Sequence, residues 1–271
     1  MTERDWRPRY VQLAEELREK IQRGELPAGE PLPSEPELAE QTGISRTSVR
    51  NAIRQLREWG LVRAEQGRGT FVRRPKVRVK RRNIERYQWE KGRVHEPEET
   101  RRQTGGTEHD TGLTVNDLKF HAKYQELPAP AEIADVFGIP AGTKLLQRTY
   151  WTSAKAEDAP LSMSRSYLIY DLVASNPDLL SDANEPWPGG THHQLWTVGI
   201  EVDRITDHVV ARPPAPDESE ILRTESGDWV LVLRKVSTST DGKVVEVADA
   251  VYPADRTELV YNIQLNRWSQ A

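Results

Sequence analysis

The 271-residue sequence predicts an α+β protein of two domains, a small helical one ending in a hairpin and a larger antiparallel sheet with helices. Three observations predict it. Up to Leu56 apolar residues recur at helical spacing, and two short alternating runs then flank Gly67. From Gly112 onward alternating runs outnumber helical ones, the pattern of an antiparallel sheet with added helices. The charge divides as well: residues 1–82 hold 19 Lys+Arg against 12 Asp+Glu, and the remainder 19 against 30. A module of +7 on a body of −11 fits a nucleic-acid reader joined to something else, although the whole chain is only −4.

Tyr10, Leu13, Ala14, Leu17 and Ile21 form the stripe of a first helix, which Gly24 and Pro27-Ala28-Gly29 end. Ser34 caps a second helix, and Glu37 three residues on completes a capping box. Gly43 breaks it and Ser45 caps a third. There Val49, Ala52, Ile53 and Leu56 fall at i, i+3, i+4 and i+7. Arg46, Thr47, Arg50, Arg54 and Arg57 lie on the flank, pointing away from that core stripe. Two short helices across a glycine turn, with donors opening the second, make a helix-turn-helix reader of double-stranded DNA. The competing reading is an ordinary helical hairpin with solvated arginines. Leu61-Val62-Arg63 and Thr70-Phe71-Val72 then bracket Gln66-Gly67-Arg68-Gly69, a hairpin wing with a basic tip. Pro75 closes the wing, so the first domain is residues 1–75.

These residues resemble the GntR family of bacterial winged-helix regulators. The matching words are Tyr10-Val-Gln-Leu-Ala, Leu17-Arg, Leu32-Pro-Ser-Glu, Glu37-Leu-Ala, Ser45-Arg, Val49-Arg, Gly60-Leu-Val and Gly67-Arg-Gly-Thr-Phe-Val. The resemblance implies that Arg46, Thr47 and Arg50 touch bases or phosphates in the major groove, that Ser48 supports them, and that Gly67 approaches the minor groove. Gln66 and Arg68 join the DNA contacts as its neighbours on the wing tip. Most relatives carry Arg where this chain has Pro36. Proline is tolerated in a first helical turn, but the contact is lost, so the operator is expected to differ from the family's common one.

The totals exclude other classes. No run of eighteen apolar residues exists, which predicts no membrane span. Met1 to Arg9 is polar with both charge signs, unlike a secretion signal or anchor. Without cysteine there are no disulfides, thiol catalysis or cysteine-ligated zinc, which fits a cytoplasmic protein. His192 and His193 are neighbours with no close acidic ligand, so no metal site is expected. Neither a phosphate loop nor a G-x-S-x-G elbow occurs, and no catalytic residue or cofactor is predicted.

Residues 76–111 read as a basic and polar linker. Lys76 to Arg82 carries five basic residues in seven, which either track a phosphate backbone or form a solvated strand. His95 to Thr111 reads as a long mobile loop or a crossing segment. Residues 112–271 form the second domain. Its expected strands are Leu118–Glu126, Leu145–Thr152, Leu161–Tyr170, Gly199–Ala211, Trp229–Thr238 and Lys243–Tyr252, the last two joined at Asp241-Gly242. Its expected helices are Ala129–Phe137, Asp171–Leu180, Gly190–Val198 and Pro216–Arg223. Trp59 is expected to close the first domain, and Trp196 and Trp229 to line a pocket or a dimer contact.

This half resembles the UTRA domain, the chorismate-lyase-like effector module of the HutC branch of GntR regulators. Phe137-Gly-Ile-Pro-Ala-Gly, Ser166-Tyr-Leu, Gly189-Gly-Thr, Val198-Gly-Ile, Val210-Ala-Arg-Pro-Pro, Asp241-Gly-Lys-Val-Val-Glu and Tyr252-Pro-Ala-Asp-Arg carry it. It implies a repressor that binds a small metabolite in this domain and dimerises through it. Strand parity adds a clue. Leu161, Met163, Arg165, Tyr167 and Ile169 share one face, and Leu146, Arg148 and Tyr150 another. A cation inside an apolar face needs an anion. For Arg148 and Arg165 that is either the effector's or the carboxylate of Glu246. The resemblance also puts Glu246 and the helix near His192 and His193 at the effector cavity. Relatives that bind sugar phosphates carry two arginines one residue apart on the first strand. This chain has only Arg148 followed by Tyr150, which points away from a phosphosugar. The expected effector residues are therefore Arg148, Tyr150, Arg165, Tyr167, His193 and Glu246. The whole reads as a homodimeric, ligand-responsive regulator of a palindromic operator, with a lyase-like enzyme in the second domain as the alternative.

Overall fold

The computed structural model describes residues 6–65, 67–73, 78–155, 160–224 and 227–265. They form two compact units, Met1–Val77 and Arg78–Ala271.

In the first unit, α1 (Arg9–Gln22) packs on α3 (Arg46–Glu58), with α2 (Glu35–Thr42) between them in sequence. The capping box forms as the spacing requires: Ser34 Oγ accepts from Glu37 N, and Ser34 N donates to Glu37 Oε2 at 2.7 Å. Gly43 ends α2 with φ 66°, and Ser45 Oγ accepts from Ser48 N at 3.2 Å to start α3. The α3 stripe is the predicted one, with Val49, Ala52, Ile53 and Leu56 buried against Leu13, Ala14 and Leu17 of α1. Each leucine so buried contributes ~1.5–3 kcal/mol. The wing pairs β1 (Val62–Glu65) antiparallel with β2 (Gly69–Val72). The chain between α1 and α2 lies along β2, where Leu32 N donates to Thr70 O and Val72 N to Glu30 O. At the end of α3, Trp59 lies beneath the Arg18 guanidinium, 5.2 Å from its ring centroid.

The second unit is built on a six-stranded antiparallel sheet. Its chain order is β3 (Val79–Arg81), α4 (Asn83–Gly92), α5 (Glu98–Arg102), α6 (Gly106–Thr111), β4 (Leu118–Pro128), α7 (Ala131–Phe137), β5 (Lys144–Ala154) and β6 (Ser162–Ile169). There follow α8 (Tyr170–Val173), α9 (Gly190–Trp196), β7 (Val202–Arg212), α10 (Pro216–Leu222), β8 (Val230–Ser239), β9 (Val244–Pro253) and β10 (Thr257–Leu259). The sheet order is β4-β5-β6-β9-β8-β7, while β3 and β10 pair separately and in parallel. Directly opposed residues share a face. Leu145, Tyr167, Ile169 and Val247 therefore meet α7, and Met163, Val230, Val232 and Val251 pack with Leu222 of α10.

Two expectations need correction. Of the two readings of His95–Thr111, the mobile loop is the one to drop: the stretch holds α5 and α6, and β3 and α4 precede it within the same unit. Apolar periodicity cannot show this, because buried arginines organise the segment. Arg93 donates from Nε to Glu96 Oε2, from Nη1 to Thr104 O and from Nη2 to Thr100 O, at 2.7–2.8 Å. Asp171–Leu180 is not one helix: α8 ends at Val173, and a separate 3₁₀ turn spans Pro177–Leu180.

Candidate functional site

The first unit presents the start of α3 to solvent. Arg46, Thr47, Arg50 and Arg54 are exposed and Ser48 is half-buried, its hydroxyl 3.0 Å from that of Ser45. Arg50 is held across the turn by Glu35 of α2, its Nη2 3.0 Å and its Nε 3.3 Å from Glu35 Oε2. On the wing, Gly67 and Gly69 take φ of 72° and 115°, which favours glycine. Arg68 donates to Glu65 Oε2 at 2.5 Å, with its guanidinium over the Phe71 ring. Gln66 lies outside the described residues.

The second unit encloses a cavity of about 610 Å³ between one sheet face and the segment running from Arg81 through α6. Residue size explains the space. At the sheet centre this face carries Ser162, Ser164 and Ser166 of β6 opposite Ala248 and Ala250 of β9, where larger side chains would fill it. Flanking strands supply Tyr150 of β5 and Lys235 of β8, and the other walls include Trp89, Glu185 and Trp187.

A buried ionic cluster forms the floor. Arg148, 1% exposed, donates from Nη2 to Glu246 Oε1 at 3.0 Å and to Ser166 Oγ at 2.6 Å, and from Nη1 to Gln194 Oε1 at 2.5 Å. Glu246 Oε1 also accepts from Ser166, while Oε2 accepts from Ser237 at 3.2 Å and lies 2.8 Å from Lys235 Nζ. Burial alone would raise the Glu246 carboxyl, but Lys235 and Arg148 outweigh it and hold it at about 2. Beside this floor Glu185 Oε1 accepts from Tyr150 and from Gln194, both at 2.9 Å. Burial pushes the Tyr150 phenol well above its ordinary range, so it stays a donor.

The six expected effector residues do not converge. Tyr150 and Glu246 line the cavity, and Arg148 lies directly behind them, bonded to Glu246, Ser166 and Gln194. Of the two sources offered for the Arg148 counter-ion, the structure contains Glu246. Arg165 and Tyr167 are on the other sheet face. There Arg165 pairs with Asp217, and its Nη1 is 3.6 Å from Glu218 Oε1, while Tyr167 packs with the α7 cluster. Arg165 and Tyr167 share one face of β6, as alternation predicts, but the cavity is on the serine face. His193 is beside the cavity wall without lining it: its Nδ1 accepts from Trp187 Nε1 at 2.9 Å. One position on, Gln194 turns into the cavity instead. Gly189 permits this packing, since a Cβ there would come within 2.8 Å of Arg101 and His193. Trp196 and Trp229 are exposed and line no part of the cavity.

Sequence reasoning missed Lys235, Gln194, Glu185, Arg81 and Arg86, all at the cavity wall. Lys235 left a signal through its alternation with Leu233 on a strand, and Arg81 only as one of the basic run Lys76–Arg82.

Residues 9–72 match the family described as bacterial regulatory proteins, gntR family, and residues 121–258 match the UTRA domain. An HTH-type transcriptional regulator of Rhizobium meliloti is 30% identical over 251 residues, 92% of this chain and 93% of its own. The HTH-type transcriptional repressor NagR of Bacillus subtilis is 27% identical over 256 residues, 94% of each chain. A solved structure of a GntR-family transcriptional regulator aligns at 25% identity and TM-score 0.65, over 96% of this chain and 99% of that one. The likeness runs through both units, and the chain belongs to the GntR family of bacterial transcriptional regulators, in the HutC-type architecture that joins a helix-turn-helix reader to a UTRA effector domain.

Proposed function

We propose that the protein is a homodimeric repressor, working on cytoplasmic DNA, that binds a palindromic operator and answers to a small anionic metabolite. The observation that carries this reading is the cavity of about 610 Å³, a size suited to a metabolite, on the same chain as an exposed basic recognition helix. Arg46, Thr47 and Arg50 read the major groove, Ser48 supports them, and Gly67 and Arg68 bring the wing to the backbone. Two recognition helices must then stand one DNA turn, ~34 Å, apart. A metabolite changes operator affinity only through its differential affinity for two arrangements of the dimer. The chain leaving the reader, residues 76–111, carries that difference.

The second unit is read as a binding module and not an enzyme. Both oxygens of Glu246 are already engaged, Oε1 by Arg148 and Ser166 and Oε2 by Lys235 and Ser237, which makes it an anchor and not a proton shuttle. No described helix is long and apolar enough to cross a membrane.

The test is to capture genomic fragments of the source organism with purified protein at physiological salt and to sequence them. A small set of palindromic sites is the expected result. Enrichment no better than bulk DNA, with and without cell metabolites, would overturn the reading. Turnover of a chorismate-like acid by the full chain would replace it with an enzyme.

A further inference from the structure

At one corner of the cavity two arginines share a single carboxylate. Asp110 Oδ2 accepts from Arg81 Nη1 at 2.9 Å and from Arg86 Nη1 at 3.2 Å, and the Asp110 and Arg81 side chains are 1% and 2% exposed. Three of their other donors are not satisfied. Arg81 Nε, Arg81 Nη2 and Arg86 Nε are buried without a hydrogen-bond partner, and Glu90, at 4.0 Å from Arg86 Nε, is beyond hydrogen-bond reach. Buried guanidinium donors left unpaired are costly and rare, and a cluster of them beside a cavity marks where a further acceptor belongs. Aromatic rings frame the corner: Arg81 lies 4.1 Å from the Tyr252 ring centroid, and Arg86 and Lys235 both lie over Tyr87. All five residues line the cavity.

We propose that Arg81 and Arg86 bind the anionic group, a carboxylate or a phosphate, of a small organic ligand whose ring or apolar part lies against Tyr87 and Tyr252. This rests on the reading of the cavity as a ligand site and gives that ligand a class and an orientation. It also gives it a lever. Arg81 ends β3 and Arg86 lies in α4, the first elements of a unit that begins at Arg78. The anion is thus gripped by the chain that follows directly on the DNA reader, whereas in the sheet floor Arg148 and Lys235 are both already paired with Glu246.

The probes are phenyl phosphate, benzoate and the neutral benzamide, titrated into full-length protein and followed by tryptophan fluorescence, since Trp89 lines the cavity. Saturable binding of one or both anions but not of benzamide is expected, with phosphate and carboxylate told apart by which anion binds more tightly. Arg86→Gln should weaken it roughly tenfold or more, the loss of a charge-assisted contact. Lys123→Gln, on exposed β4, should not. Should Arg86→Gln fail to fold, the arginine Nε–H resonances of the wild-type protein decide, since two of them must shift as the anion binds. Binding that ignores Arg86→Gln, unmoved arginine resonances, or no saturation at millimolar anion would each overturn the proposal. Operator capture by the same preparation separates the failures: intact capture without anion binding removes this assignment alone.

Discussion

Arg148 Nη2 stands 3.0 Å from Glu246 Oε1, joining two side chains that are 1% and 2% exposed. They come from β5 and β9, with β6 between them, and Ser166 of β6 bonds to both, at 2.6 Å and 2.7 Å. The sheet register makes this possible, because Ser166 is directly opposite Arg148 on one side and Ala248 on the other. The pair ties three strands together under the cavity and keeps a carboxylate ionised in a site that water barely reaches. A buried pair adds little net stability compared with well-packed apolar residues, but losing one partner strands the other.

Replacing Glu246 alone should therefore cost far more than replacing it together with Arg148 and Lys235. Glu246→Gln leaves Arg148 and Lys235 facing a neutral amide and should lower the unfolding free energy by ~3–5 kcal/mol at neutral pH. The triple change Arg148→Met, Lys235→Met and Glu246→Leu, which leaves none of the three charges behind, should lose clearly less. Urea unfolding of the three proteins checks this, and an unmoved midpoint in Glu246→Gln would show that the pair is not strained by losing its anion.

The same carboxylate sets an acid limit. Its ordinary value of 4.5 falls to about 2 in the fold, because Lys235 and Arg148 overcome the opposing effect of burial. A folded value below the unfolded one means the stabilisation is complete above 4.5 and is lost as the pH falls toward 2. The loss is on the order of 3 kcal/mol. Wild type and Glu246→Gln should accordingly converge in stability across that window when denaturant midpoints are compared. Curves that stay parallel into strong acid would place the titrating group elsewhere.

The reader domain was legible because every signal in it is local. Ser34 with Glu37, Gly43, Ser45 and the Val49–Leu56 stripe each act within one helix turn or two, and all are found as spaced. The sheet was legible for a similar reason: alternation marked its strands and Asp241-Gly242 its hairpin. The cavity was harder. Alternation shows which residues share a face but not which face is covered by what: Arg165 and Tyr167 share theirs with Met163, away from the serine face that lines the cavity. The Arg81–Asp110 and Arg101–Pro188 contacts join residues 29 and 87 positions apart, and a polar stretch held by such bonds has no period to read.

On the DNA side, Arg50→Ala should weaken specific operator binding by about 5- to 150-fold, the range for losing a base contact. The melting temperature should hardly move, since the pair with Glu35 is exposed and such pairs contribute little. Arg68→Ala, at the wing, should instead weaken operator and bulk DNA alike and flatten the salt dependence. Gel-shift titrations at two salt concentrations separate the two patterns. Equal losses from both variants would mean that α3 is not the reading helix.

The cavity can be closed without touching its charges. Ala248 lines it at the sheet centre, opposite Ser166 and Lys235, and is 6% exposed. Ala248→Phe directs a ring into the open volume, so the strain should stay below the ~1–3 kcal/mol typical of overpacking a filled core. The floor of Arg148, Glu246 and Ser166 keeps its partners, and the reader domain, a separate compact unit, is unaltered. Operator affinity without metabolite should match wild type, while cell extract that shifts wild-type operator binding should leave the variant unmoved. The contrast matters because a general loss of stability would lower both quantities together. A variant that still answers the extract would show that the metabolite binds outside this cavity, and the search would move to another face of the second unit.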